Sequence, residues 1–155
     1  KLGDEILQEI NISQIEELLN IRTNDDFNIL KDEAICGNKK KTNRLLADTV
    51  FESDKSIYYL NSINQRINKL NDIEKLKNEK NGNLEDLITS LKPPVFWKEK
   101  AKLIDQSKKW NKEKLQIALR KTYSIELRIK SNSSIDKNIL MKNLIIELCN
   151  TASSS

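Results

Sequence analysis

The residues of this chain best suited to chemistry are an aromatic pair and the lysines that follow it. The stretch "KPPVFWKEKAK", Lys92 to Lys102, holds both prolines of the chain, then Phe96 and Trp97, then Lys98, Lys100 and Lys102. A flat ring beside several ammonium groups has the composition of a single-strand nucleic-acid contact, in which bases stack on aromatics and lysines meet phosphates. The same residue types suit a structural joint, because large apolar rings are uncommon on the surface outside binding sites. On residue types alone, the joint is the favoured reading for both rings. The backbone refines it. Two consecutive prolines remove two amide donors and fix two φ angles, which makes a stiff corner. Phe96 is expected to turn inward as its anchor, and Trp97 to stay at least partly exposed beside Lys98 and Lys100.

The remaining candidates are weaker. "GNKKKT", Gly37 to Thr42, has the end of a phosphate-binding loop but only one glycine, and a helix rather than a strand leads into it; the motif needs its glycines so that backbone amides can cradle phosphate. It reads as a solvated turn between helices. The adjacent carboxylates Asp25-Asp26, Asp32-Glu33 and Glu85-Asp86 point in different directions on a helix, so none makes an acid–base pair or a metal cluster. Histidine is absent, which removes the commonest general base and zinc ligand. Cys36 and Cys149 lie far apart with no CxxC spacing, and each reads as a small hydrophobe on a helix face. No catalytic residue, metal or cofactor is expected, and neither ATPase, nuclease nor polymerase activity.

The elements that must position these residues are helices throughout. Glycine and proline are scarce, 3 and 2 in 155 residues, and helical spacing recurs in every segment. Ser13 with Glu16 reads as a capping box opening a short helix with Ile15, Leu18 and Leu19 on one face. Asn24 or Asp25 caps a second, carrying Phe27, Leu30, Ala34 and Ile35 and ending at Gly37 in a left-handed conformation. Leu45, Leu46 and Val50 form the inner face of a third. The longest helix is expected from about Lys55 into the seventies, with Tyr59, Ile63, Ile67 and Leu70 inward. "EKLKNEKNGN" reads as an exposed loop, and Asn83 caps a short helix before the diproline corner, where Pro93 stops it. Ala101, Leu103 and Ile104 belong to a helix ending near Trp110. Asn111 caps the next, with Leu115, Ala118, Leu119 and Leu127 facing the core and Glu126–Lys130 as a surface pair. "SNSSID" is a turn, Asp136 caps a final apolar helix, and residues 151–155 read as a disordered tail. The expectation is an all-α fold of at least six helices in an antiparallel bundle.

Net charge is +4, a mild bias that AT-rich coding for Lys, Asn and Ile explains without selection for nucleic acid. No run approaches the ~18 apolar residues of a membrane span, so a cytoplasmic location is expected. The opening "KLGDEIL", without Met, suggests a piece of a longer chain.

From Pro93 onward the order of features resembles the C-terminal domain of the bacterial DNA polymerase III delta subunit. The pieces are Pro93, Pro94, Phe96 and Trp97 as a PPxFF-like joint, Trp110 and Asn111 closing a helix, and Glu126, Leu127, Ile129 and Lys130 as an E-L-x-L-K element before the final leucine-rich helix. Upstream, "ISQIEELLN" looks like the end of the family's lid domain, "FNILKDEAICGNKKKTNRLL" like its helix–Gly–helix step, and "SIYYLNSINQRINKL" like the following long helix. The resemblance implies a lid remnant at 1–21 and a helical collar domain at 22–150, the oligomerisation domain of a clamp-loader subunit. Such a subunit is non-catalytic within a DNA-directed DNA polymerase holoenzyme. It packs beside gamma/tau and delta-prime type subunits, touches the sliding clamp only through an N-terminal module absent here, and can face primed DNA. Trp97 stands where the family more often has Phe, and the "SNSSI" turn has no aromatic. Any DNA contact therefore rests on Trp97 with Lys98, Lys100 and Lys102. The alternative is a stand-alone helical nucleic-acid-binding module using the same residues.

Overall fold

The computed structural model describes residues 2–131 and 134–154; the side chains of residues 2–10, 16 and 19–24 lie outside the description. The expected roles of Glu16, Leu19 and Asn24, and of Asn132, Ser133 and Ser155, fall on those positions. Seven α-helices and one 3-10 turn make up the described secondary structure, with no strand among the described residues. In order they are α1 (Leu2–Ile35), α2 (Lys39–Ala47), the 3-10 turn (Ser53–Lys55), α3 (Ser56–Glu79), α4 (Leu84–Thr89), α5 (Trp97–Lys109), α6 (Lys112–Lys130) and α7 (Lys137–Ser153). The chain is all-α.

The first departure from the sequence reading is α1. It runs unbroken for 34 residues through both expected starts, Ser13 and Asn24-Asp25, and is longer than the 24-residue α3. No Gly or Pro lies between Gly3 and Gly37. Asn, Thr and Asp in mid-helix cost only tenths of a kcal/mol each, and extending a helix is cheaper than nucleating another. Ile12, Ile15 and Leu18 are exposed on it.

The end of α1 follows the sequence closely. Gly37 has φ +75, its N–H donates to the Ala34 carbonyl at 2.9 Å, and the Asn38 N–H donates to the Glu33 carbonyl at 3.1 Å. This is the paired bonding of a Schellman cap. The last carbonyl, Ile35 O, is reached from elsewhere in the chain by the buried Trp110 indole Nε1–H at 2.7 Å. Asn38 then caps α2 by accepting from the Lys41 N–H at 3.2 Å.

The expected caps Asn83, Asn111 and Asp136 accept from the N–H groups of Glu85, Lys114 and Asn138 at 3.2, 2.9 and 2.9 Å. Each satisfies an otherwise orphan helix donor. With its helices fixed at both ends, the chain packs α3 on α6, α6 on α7, and α7 on α1 and α2, while α4 and α5 lie against α3. Tyr59, Ile63, Ile67 and Leu70 are buried as their spacing predicts, together with Leu30, Leu115, Leu144 and Leu148 from the neighbouring helices. Phe27, Phe51 and Tyr59 stack into one cluster, with ring centroids 4.6 to 6.2 Å apart. Each large side chain so buried contributes about 1.5–3 kcal/mol.

Four further expectations are corrected. Val50 lies beyond the end of α2 and is exposed; Phe51 enters the core in its place, its N–H donating to Asn138 Oδ1 at 2.8 Å. Leu127 is exposed, because the inner face of α6 runs through Ala118, Thr122, Ile125 and Ile129. Thr122 tolerates that burial by donating its hydroxyl to the Ala118 carbonyl at 2.8 Å. Residues 74–79 continue α3 rather than forming a loop. At the other end, α7 extends to Ser153 with Ala152 buried against the Gly37 turn, so residues 151–153 are helix and not tail.

Candidate nucleic-acid interface

The diproline corner is held by two residues that the sequence reading did not single out. Leu91 and Val95 pack against the core on either side of Pro93-Pro94. Phe96, the expected anchor, is instead 57% exposed, and Trp97 is 73% exposed. Both expectations that placed Phe96 in the core are therefore corrected, and so is the reading from residue types that placed Trp97 there; the partial exposure expected of Trp97 from the backbone is what is found. The reason lies in the packing: Val95 and Leu91 already supply the apolar contacts of the joint, and Phe96 is the N-cap position of α5, with an extended backbone (φ -61, ψ 133). Its carbonyl accepts the Glu99 N–H at 2.9 Å. Trp97 opens the helix itself, and the two rings lie side by side, centroids 5.9 Å apart and planes inclined by 47°.

The lysines divide. Lys98 Nζ stands 5.4 Å from the centroid of the Trp97 ring, a cation–π distance worth about 0.5–1 kcal/mol at an exposed site. Lys100 pairs across to Glu85 of α4 at 3.4 Å. Lys102 lies further round α5 and pairs with Glu33 of α1 at 2.9 Å, where Lys41 of α2 also reaches the same carboxylate oxygen at 3.2 Å. Burial opposes the charge on Glu33, but hydrogen bonds from Lys102 and Lys41 outweigh it, and its pKa is lowered. The hydrogen bond to Glu33 likewise raises the pKa of Lys102 above the ordinary lysine value, against its own partial burial. Of the four expected site residues, the structure brings Trp97 and Lys98 together on one surface. Lys100 is tied to a neighbour, and Lys102 joins helices.

The arrangement offers two solvent-facing aromatic rings, inclined to each other, with one ammonium over the Trp97 ring. It can stack a planar group and neutralise one negative charge. Among the described residues no group of three or more His, Cys, Asp or Glu could hold a metal ion, and no described helix is long and apolar enough to cross a membrane.

A second polar site escaped the sequence reading. Lys31 on α1 and Arg66 on α3 are buried, each 7% exposed, beside Gln106 on α5. The Arg66 guanidinium donates to Gln106 Oε1 at 3.0 Å, and Gln106 Nε2 donates to the Asp32 carbonyl at 3.2 Å. A signal was present: Lys31 lies four residues after Phe27, and Arg66 sits between Ile63 and Ile67. In both cases a cation interrupts an apolar helix face.

Comparison with known protein families, with curated proteins and with solved structures finds no match to this chain.

Proposed function

We propose that this chain is the collar-type assembly domain of a clamp-loader delta subunit, helping to build the complex that places the sliding clamp on primed DNA. The observation that carries this reading is an exposed apolar row on α1, in the stretch read as the lid remnant, which continues as one helix into the collar. Ile12, Ile15 and Leu18 lie at helical spacing, and the other described side chains from residue 11 to 18 are exposed as well. Water-facing rows of large aliphatics mark surfaces made for other proteins. Tyr123 and Leu127 on α6, and Ile139 and Ile146 on α7, add further apolar exposure. The sequence resemblance supplies the class of partner, which is neighbouring loader subunits of gamma/tau and delta-prime type. Within that assembly Trp97 and Lys98 would face the chamber that receives DNA. Mixing the chain with those subunits tests the reading: Ile15→Asp together with Leu18→Asp should abolish co-elution while leaving helical content and melting cooperativity intact. Co-elution that these changes do not touch would remove the α1 row from the account.

The exposure of Trp97 favours one other reading, a helical module that binds single-stranded nucleic acid by itself. It requires a strong salt dependence of binding by the isolated chain. The pairing of Lys100 and Lys102 with carboxylates leaves Lys98 as the lysine against the ring, a small footprint for that purpose.

A further inference from the structure

The cavity between α1, α3 and α5 points to a ligand that neither the assembly reading nor the DNA contact includes. It has a volume of about 120 Å³, is partly open, and is lined by Lys31, Ser62, Gln65, Arg66, Lys69 and Glu99. This is well above the ~10–15 Å³ that a single water needs. Its chemistry is unbalanced. Lys31 Nζ is held by two neutral acceptors, Asn28 Oδ1 at 3.1 Å and Ser62 Oγ at 2.9 Å. Arg66 makes its hydrogen bond to Gln106, while the carboxylates of Asp32 and Glu99 stand off at 3.7 and 3.9 Å. Lys69 reaches the same Glu99 oxygen at 3.9 Å. Three cations thus share two carboxylates, and neither carboxylate is at hydrogen-bond distance from a cation. A buried ammonium or guanidinium is costly to keep without a close anion. Burial, and then the neighbouring Arg66 charge, lower the pKa of Lys31, while Asp32 and Glu99 act in the opposite direction.

We propose that this cavity binds a phosphate dianion, either free or as the head of a small phosphomonoester. Arg66, with one of its five N–H donors spent on Gln106, offers a planar fork suited to tetrahedral oxyanions, and Lys69 and Lys31 add point charges to the same lining. Ser62 and Gln65 add neutral hydrogen-bonding groups. Asp32 and Glu99 oppose an anion, and Arg66 lies against both. A second groove shares Gln65 and Lys69 with the cavity and is lined also by Leu91 and Pro93, two apolar groups available to an ester's organic end.

Calorimetric titration of the whole chain with inorganic phosphate, at constant ionic strength in chloride, tests the proposal. Saturable binding is expected, with sulfate competing. Lys69→Gln, at a partly exposed position that tolerates change, should weaken affinity by about tenfold or more, the value of one charge-assisted hydrogen bond. Lys31→Met should abolish binding while keeping or raising the melting temperature of the unliganded protein. A parallel arm with adenosine monophosphate separates the sources. Tighter binding than phosphate, dependent on Lys69, assigns the cavity to an ester, and weaker binding assigns it to the free ion. Phosphate heats no different from chloride would overturn the proposal, as would equal phosphate affinity in wild type, Lys69→Gln and Lys31→Met.

Discussion

Replacing Trp110 by Phe removes one hydrogen bond that joins distant parts of the chain. The indole Nε1–H donates to Ile35 O at 2.7 Å, and both side chains are buried. That carbonyl is the last of α1, with the Gly37 turn directly after it. Phe keeps the ring but loses the donor, leaving a buried acceptor unsatisfied at a cost of about 1–3 kcal/mol. The smaller ring also leaves a void of roughly 40 Å³, worth about 1 kcal/mol at ~24 cal/mol per Å³. Together they amount to about 2–4 kcal/mol, a large part of a domain's ~5–15 kcal/mol. For a chain of this length the melting temperature should fall by about 4–16 °C. Urea denaturation followed by circular dichroism measures the loss. Trp97→Phe is the matched control, expected within about 0.5 kcal/mol of wild type because its ring is exposed. These are the chain's only tryptophans, so each variant leaves a single fluorophore. Trp97→Phe should emit at shorter wavelength and resist quenching by acrylamide, and Trp110→Phe should show the reverse. A Trp110→Phe loss below about 0.5 kcal/mol, or equal quenching in the two variants, would refute the packing described here.

Gly37→Ala should cost about 1–3 kcal/mol, from its left-handed φ and from a Cβ only 3.1 Å from Ser153 N and 3.2 Å from the Ala152 carbonyl carbon; thermal melting checks it. Glu33→Gln should lose about 1–3 kcal/mol at neutral pH, since two charged hydrogen bonds end on that carboxylate and both lysines are partly solvated. The sign with pH follows from the two shifts. The lowered pKa of Glu33 contributes stability above the ordinary carboxylate range, lost as pH falls through its folded value; the raised pKa of Lys102 contributes stability below the ordinary lysine value, lost as pH rises through its own. Stability measured against pH should therefore have a shallower acid limb in Glu33→Gln. Trp97→Ala should leave folding unchanged and, in an assembled loader, weaken primed-DNA-dependent clamp loading by the ~1–3 kcal/mol of one stacked base. Normal loading would remove Trp97 from any DNA contact.

Much of the helical plan was legible because its signals are local. Asn83, Asn111 and Asp136 cap as expected and Gly37 turns left-handed, since each depends only on a few neighbouring residues. The start of α1 was not, because Ser13 and Asp25 look like caps in isolation, whereas a growing helix needs a breaker to stop it. Phe96 was misplaced for a tertiary reason: the corner needs an apolar anchor, but the flanking Val95 and Leu91 provide it. The same limit hid the diversion of Lys100 and Lys102 to Glu85 and Glu33, partners that lie 15 and 69 residues away. Trp97, exposed at a helix start beside Lys98, kept the place its sequence context indicated.

The most direct measurement is of the assembly itself. The chain is mixed with gamma/tau and delta-prime type loader subunits from the same organism, and its complexes are sized by chromatography with light scattering. One stoichiometric complex containing the chain is expected, lost when Ile15 and Leu18 become Asp. A chain that elutes alone beside intact partner subunits, at concentrations where those partners associate with one another, would contradict it.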